Sequence, residues 1–125
     1  MNWMLAGVCC LSVGCSTLSR GIDIARLPPP YTVIIHDSGR AIAERTIAKE
    51  SQDAQVLATW LERNQTGWAK TAVTYAPSRV IQGDSFSLNF TGDLCVLNCE
   101  QGQFSKKVDA TPLSSMFAAA VQSRQ

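Results

Sequence analysis

The run Ser85-Phe86-Ser87-Leu88-Asn89-Phe90 alternates small or polar side chains with large apolar ones without a break. Side chains of an extended chain point to opposite faces in turn, so the pattern predicts a strand with Phe86, Leu88 and Phe90 on a buried face and Ser85, Ser87 and Asn89 in water. A sheet that is wet on one side is antiparallel, because parallel sheets are covered on both. The chain is thereby directed to an antiparallel sheet with one core side, and other elements must supply the cover.

The flanking sequence extends this sheet in short steps. Thr91-Gly92-Asp93 turns into Leu94–Cys99, apolar on both faces and therefore expected in the interior; Glu100-Gln101-Gly102 turns again into Gln103 to Val108. Upstream, Lys70 to Tyr75 alternates around Ala72, Val73 and Tyr75, Ala76-Pro77-Ser78 turns the chain, and Arg79 to Ile81 makes a short strand ending at Gly83-Asp84. Consecutive short connections of this kind predict a meander. Tyr31 to His36 is β-branched and aromatic, Asp37-Ser38-Gly39 is a turn, and Ala41 to Ile47 reads as the returning strand of a hairpin. Residues 41–50 also admit a helix running on to Asn64, since Ala43, Ile47, Ala54, Leu57 and Leu61 fit helical spacing.

Two helices are expected to cover the sheet. Residues 52–63 carry an apolar stripe of Ala54, Leu57, Trp60 and Leu61, with Ser51 placed to cap the first turn and Asn64 and Gly67 to end the helix. Residues 112–121 carry Leu113, Met116, Phe117, Ala120 and Val121 on one stripe, with Pro112 at the first helical position and Thr111 as cap. The expected class is α+β, an antiparallel sheet of about five or six strands with one helix after the first hairpin and one at the C-terminal end.

The opening segment bears on location. Met1 to Cys15 contains no charged residue, and its apolar part from Trp3 to Gly14 would cover only about 18 Å as a helix against a hydrocarbon core of roughly 30 Å. It is too short to span a membrane and suits the apolar region of an export signal, which ends in small residues. The ending Ser12-Val13-Gly14-Cys15 resembles the lipobox of bacterial lipoproteins, with Ser12 standing where Leu is usual. The resemblance covers about the first 15 residues. It implies cleavage after residue 14, lipidation of Cys15 and a location on the periplasmic side of a bacterial envelope, with Ser16 favouring export to the outer membrane in enterobacteria-like systems. Ordinary cleaved secretion and a buried apolar N-terminal element of a cytosolic protein are the competing readings. On the leading one, residues 1–14 are a signal peptide, 15–30 a tether ending in Pro28-Pro29-Pro30, and 31–125 a single domain.

Composition narrows the partners. An apolar fraction of 46% with 17% charged residues argues against disorder, and a net charge of +1 with dispersed basic residues offers no field for nucleic acid. The expected partners are the membrane, through the lipid on Cys15, and a protein. Cys95 and Cys99 are the cysteines left in the body; they are read as core residues or free thiols, with a disulfide between them as the competing reading, because strand residues four apart lie about 13 Å from one another. Two thiolates without a second Cys or His pair fall short of a metal site. His36 adjoins Asp37 and Ser38, but neighbours along a strand face opposite ways, so adjacency does not make a relay. Tyr31, Trp60, Trp68 and Tyr75 are the aromatic side chains to examine for an exposed patch. No cofactor motif is present and no catalytic set is visible, which leaves a non-enzymatic binding module, an inhibitor or immunity protein in its sharper form, ahead of a structural assembly lipoprotein and a small enzyme using His36.

Overall fold

The computed structural model describes residues 21–72 and 74–122. Residues 1–14, expected to be a signal peptide, and Cys15 and Ser16 lie outside the described residues, as does Val73.

The first hairpin forms as its sequence suggests. Strand β1 (Tyr31–Asp37) pairs antiparallel with β2 (Arg40–Ile47), and the two turn residues, Ser38 and Gly39, have φ of 53° and 80°. Two left-handed residues give a turn whose twist matches that of the strands. The pairing absorbs an irregularity between Ile35 and His36, which leaves Ile42 without a partner on β1. Residues 41–47 are thus strand, and the helix starts afresh at Gln52.

That helix, α1 (Gln52–Arg63), begins where Ser51 Oγ accepts the Ala54 N–H at 3.2 Å. Its N-terminal turn is tied to β2 by Arg45, which donates to Asp53 at 2.8 Å. Ala54, Leu57, Trp60 and Leu61 are its buried residues, the stripe that helical spacing demands. Asn64 ends the helix and its carbonyl receives the indole N–H of Trp68 at 2.6 Å.

After α1 the chain departs from expectation. Strand β3 is only Ala69–Lys70, not the run to Tyr75, and it pairs with a strand far along the chain. Strands β4 (Arg79–Gln82), β5 (Ser87–Thr91), β6 (Leu94–Cys99) and β7 (Gly102–Lys107) then form the meander. The complete sheet has seven strands in the order β2-β1-β4-β5-β6-β7-β3, every pairing antiparallel. Helix α1 therefore carries the chain across one face from β2 to the opposite edge, and residues 71–72 and 74–78 mark its return across the other. The return path is marked by Thr71 N–H to Gln103 O, Asn98 Nδ2 to the Tyr75 hydroxyl, Thr91 Oγ1 to Ala76 O and Ser78 N–H to Phe90 O. It crosses the face on which Val80, Asn89 and Val96 are buried.

The helical face holds the main core. Val33, Ile81, Leu88, Leu97 and Phe104 are successive cross-strand partners and none exceeds 4% exposure. A 3-10 turn at Thr111–Leu113 leads into α2 (Ser114–Gln122), so Pro112 opens the turn rather than the helix and Thr111 does not cap it. Helix α2 lies over β1 and β2. The two helices converge on Phe90, whose ring is 5.7 Å from that of Trp60 and 5.5 Å from that of Phe117.

The folded body begins ahead of Tyr31. Ile22 and Leu27 are each 3% exposed and belong to the core, and Leu27 O accepts the Tyr31 hydroxyl at 2.9 Å. Ile22 exchanges hydrogen bonds with Gln65, giving its N–H to the backbone O and accepting the side-chain amide. At Gly21 a Cβ would stand 2.5 Å from Gln65 O, so the close approach depends on glycine. The prolines at 28–30, expected in the tether, are part of the domain, because the apolar residues on their N-terminal side have core partners.

Candidate functional site

The sheet has two unlike ends. The upper end carries the turns at residues 83–86 and 100–101 and receives the chain at Gly21–Ile22. The lower end carries the Ser38–Gly39 and Gly92–Asp93 turns, the last residues of the return crossing, and the approach to α2. Loops held by a rigid sheet are where recognition is commonly placed, and the lower end brings His36, Asp37, Arg79, Asp93 and Asp109 to two adjoining clefts.

Two clefts lie there, divided by consecutive residues Ser78 and Arg79. One, of about 400 Å³, is lined by His36, Asp37, Ser38, Gly39 and residues 76–78. The His36 backbone N–H donates to Ser78 O at 2.8 Å, while Nδ1 of its ring is buried without a partner. Ser38 Oγ lies 3.3 Å from Asp37 Oδ1. Among the described residues no hydrogen bond joins the His36 ring to Asp37 or Ser38, so the contacts of a base-and-nucleophile relay are not made between them.

The second cleft, of about 250 Å³, is lined by Arg79, Asp93, Asp109, Thr111 and Ser114 among others. Arg79 faces the helical side, in a cross-strand row with Ile35 and Phe90. Its guanidinium lies 4.7 Å from the Phe117 ring centre and 5.9 Å from that of Phe90. Asp109 accepts the Thr111 N–H at 3.0 Å, and hydrogen bonding from Thr111 holds this carboxyl below the usual carboxylate range. Asp93 is 4.0 Å from Lys107.

The other candidates resolve as follows. Cys95 and Cys99 are both free thiols on the helical face of β6, and the disulfide is not formed, because the strand is regular between them and holds them apart. Burial pushes the Cys95 thiol well above its ordinary range. Among the described residues no group of three His, Cys, Asp or Glu could hold a metal ion. Tyr31, Trp60 and Trp68 are core residues and Tyr75 is half-buried on the opposite face, so they make no exposed aromatic patch. No helix among the described residues is long and apolar enough to cross a membrane. Among the described residues β2 pairs only with β1 and is the longer of the two edge strands, and Ile42 on it is 40% exposed. Arg40, Glu44 and Arg45 and the irregular pairing are features that discourage casual strand addition there.

Arg79 has no counterpart among the residues that motif reading singles out. The available signal was its placement two residues from Ile81, which puts a cation on the core-facing side of a strand. Comparison with protein-family models, with curated proteins and with solved structures found no match to this chain.

Proposed function

We propose that the chain is a lipid-anchored protein of a bacterial envelope, acylated on Cys15 and facing the periplasm, whose α+β domain binds a protein partner at its lower end without catalysing a reaction. The observation that carries this reading is polarity of placement: Ile22 lies beside Cys99, Glu100 and Gln101 at the upper end of the sheet, while the clefts at His36–Gly39 and at Arg79 open at the lower end. Five residues separate Cys15 from Gly21. Even fully extended, that connection spans only about 20 Å, so a lipid on Cys15 would hold the upper end near the bilayer and turn the clefts outward. Ser16 favours the outer membrane for that anchor. An inhibitor or immunity protein that occludes a toxin or wall hydrolase is the sharper form of the proposal, since a small tethered domain suffices for occlusion. Membership of a multisubunit envelope assembly is the second reading, favoured by the β2 edge, which could extend a partner's sheet.

The test is the intact mass and N-terminal peptide of the protein from its host's membrane fraction, followed by crosslinking and identification of partners. A mature chain starting at Cys15 with diacylglycerol on its sulfur, crosslinked to a partner through the lower end, supports the proposal. Crosslinks confined to β2 in a stable assembly favour the second reading. An unmodified chain keeping Met1 in the cytosolic fraction overturns the address.

A further inference from the structure

We infer that Arg79 is a docking point for a carboxylate, and that the protein partner proposed above presents an acidic side chain or its own C-terminal carboxylate to it. The inference rests on the binding reading only for where the carboxylate comes from. Arg79 occupies a core-facing position in a sheet whose neighbouring core-facing side chains, Ile35 and Phe90, are apolar. A guanidinium half-buried there forgoes part of its hydration, a cost an apolar side chain would not carry. Among the described residues it has neither an ion pair nor a hydrogen bond to repay that loss. What the fold supplies instead is placement: the guanidinium lies 4.7 Å from the Phe117 ring centre and 5.9 Å from that of Phe90, and Arg79 lines the cleft.

The surroundings select among anions. Asp93 and Asp109 line the same cleft, so a dianionic phosphate would meet two negative charges, while a single carboxylate can pair with the fork and bear their field. The cleft is open to solvent and about 250 Å³ in volume, room enough for an Asp or Glu side chain or a chain terminus. Arginine set in a partly desolvated pocket is also among the side chains that dominate protein interfaces.

The experiment follows the Arg79 Nε–H resonance of the full chain in nonionic detergent while sodium acetate is added against sodium chloride of equal ionic strength. Two further probes separate the sources: N-acetyl-diglycine for a chain terminus, and N-acetylglutamic acid α-methylamide for a side chain. A saturable shift with acetate and with either probe, weakened about tenfold in Arg79→Lys, supports the inference, because lysine keeps the charge and loses the fork. No saturable shift beyond that of chloride overturns it, as does tighter binding of inorganic phosphate than of acetate. The wild-type resonance decides even if a variant fails to fold. Arg79→Met then separates the two proposals: a partner that still crosslinks to the lower end of this variant with undiminished affinity leaves the binding reading standing and removes the carboxylate dock.

Discussion

Cys95 and Cys99 share a face of β6, yet their surroundings give them opposite reactivity. Cys95 is fully buried beside Phe90, and its thiolate is strongly disfavoured; Cys99 is half-buried at the strand end, its Sγ 3.7 Å from Gly102 O. Since the thiolate is the nucleophile, iodoacetamide should modify Cys99 in the native protein and Cys95 only after unfolding, as tandem mass spectrometry of the labelled peptide would show. Equal native labelling of both would contradict the burial. Tyr31 offers a second check. Burial raises its pKa above the ordinary value of 10.0, so above that pH the unfolded chain loses the phenol proton while the folded chain keeps it. The unfolded state then binds fewer protons, and the contribution, complete below about pH 10, is lost as pH rises through the folded pKa. Urea midpoints should therefore fall more steeply above about pH 10 for the wild type than for Tyr31→Phe. Of the lower end, the neighbours His36, Asp37 and Ser38 were conspicuous in the chain, but their lack of a relay is a matter of side-chain direction. Arg79 was inconspicuous because its meaning comes from Phe117, which is 38 positions away.

At the scale of elements, α1 shows how local rules can suffice. Its cap, its first residue and its buried stripe all follow from contacts within about one turn, and Ser51 is the residue that separates it from β2. Ser51→Ala should cost about 1 kcal/mol, read as a lower urea midpoint with unchanged slope, because the Ala54 N–H loses its acceptor. A change in slope would mean that the cap also restrains the unfolded chain. The segment after Lys70 shows the contrary case. Alternation around Ala72 and Tyr75 suggested a strand, but the chain leaves β7 after two paired residues to cross the sheet. Its polar groups are then met by Gln103, Asn98 and Thr91, partners that no period along the sequence can reveal. Phe86 is buried, as its alternation required, although it sits in the turn before β5 and packs edge-on against Tyr31.

For the whole molecule, the position of the N-terminal segment is the most testable feature. A chain starting at Tyr31 should unfold at a lower urea midpoint than one starting at Gly21, because it loses the burial of Ile22 and Leu27, about 3–6 kcal/mol together. Equal stability of the two truncations would restore residues 21–30 to the tether and weaken the case that an anchor at Cys15 orients the domain. By itself the sequence determined the α+β class, α1, the meander from β4 to β7 and the alternation that assigns Leu88 and Phe90 to the core, while for residues 41–50 it left strand and helix both open. These depend on side-chain periodicity and turn chemistry within a few residues. Only the tertiary structure decided that β1 pairs with β4, that β3 closes the far edge against β7, and that Ile22 belongs to the core while Arg79 faces a cleft. Those outcomes depend on which distant surfaces fit and on where α1 can carry the chain, because a strand's own pattern names its buried face but not its neighbour.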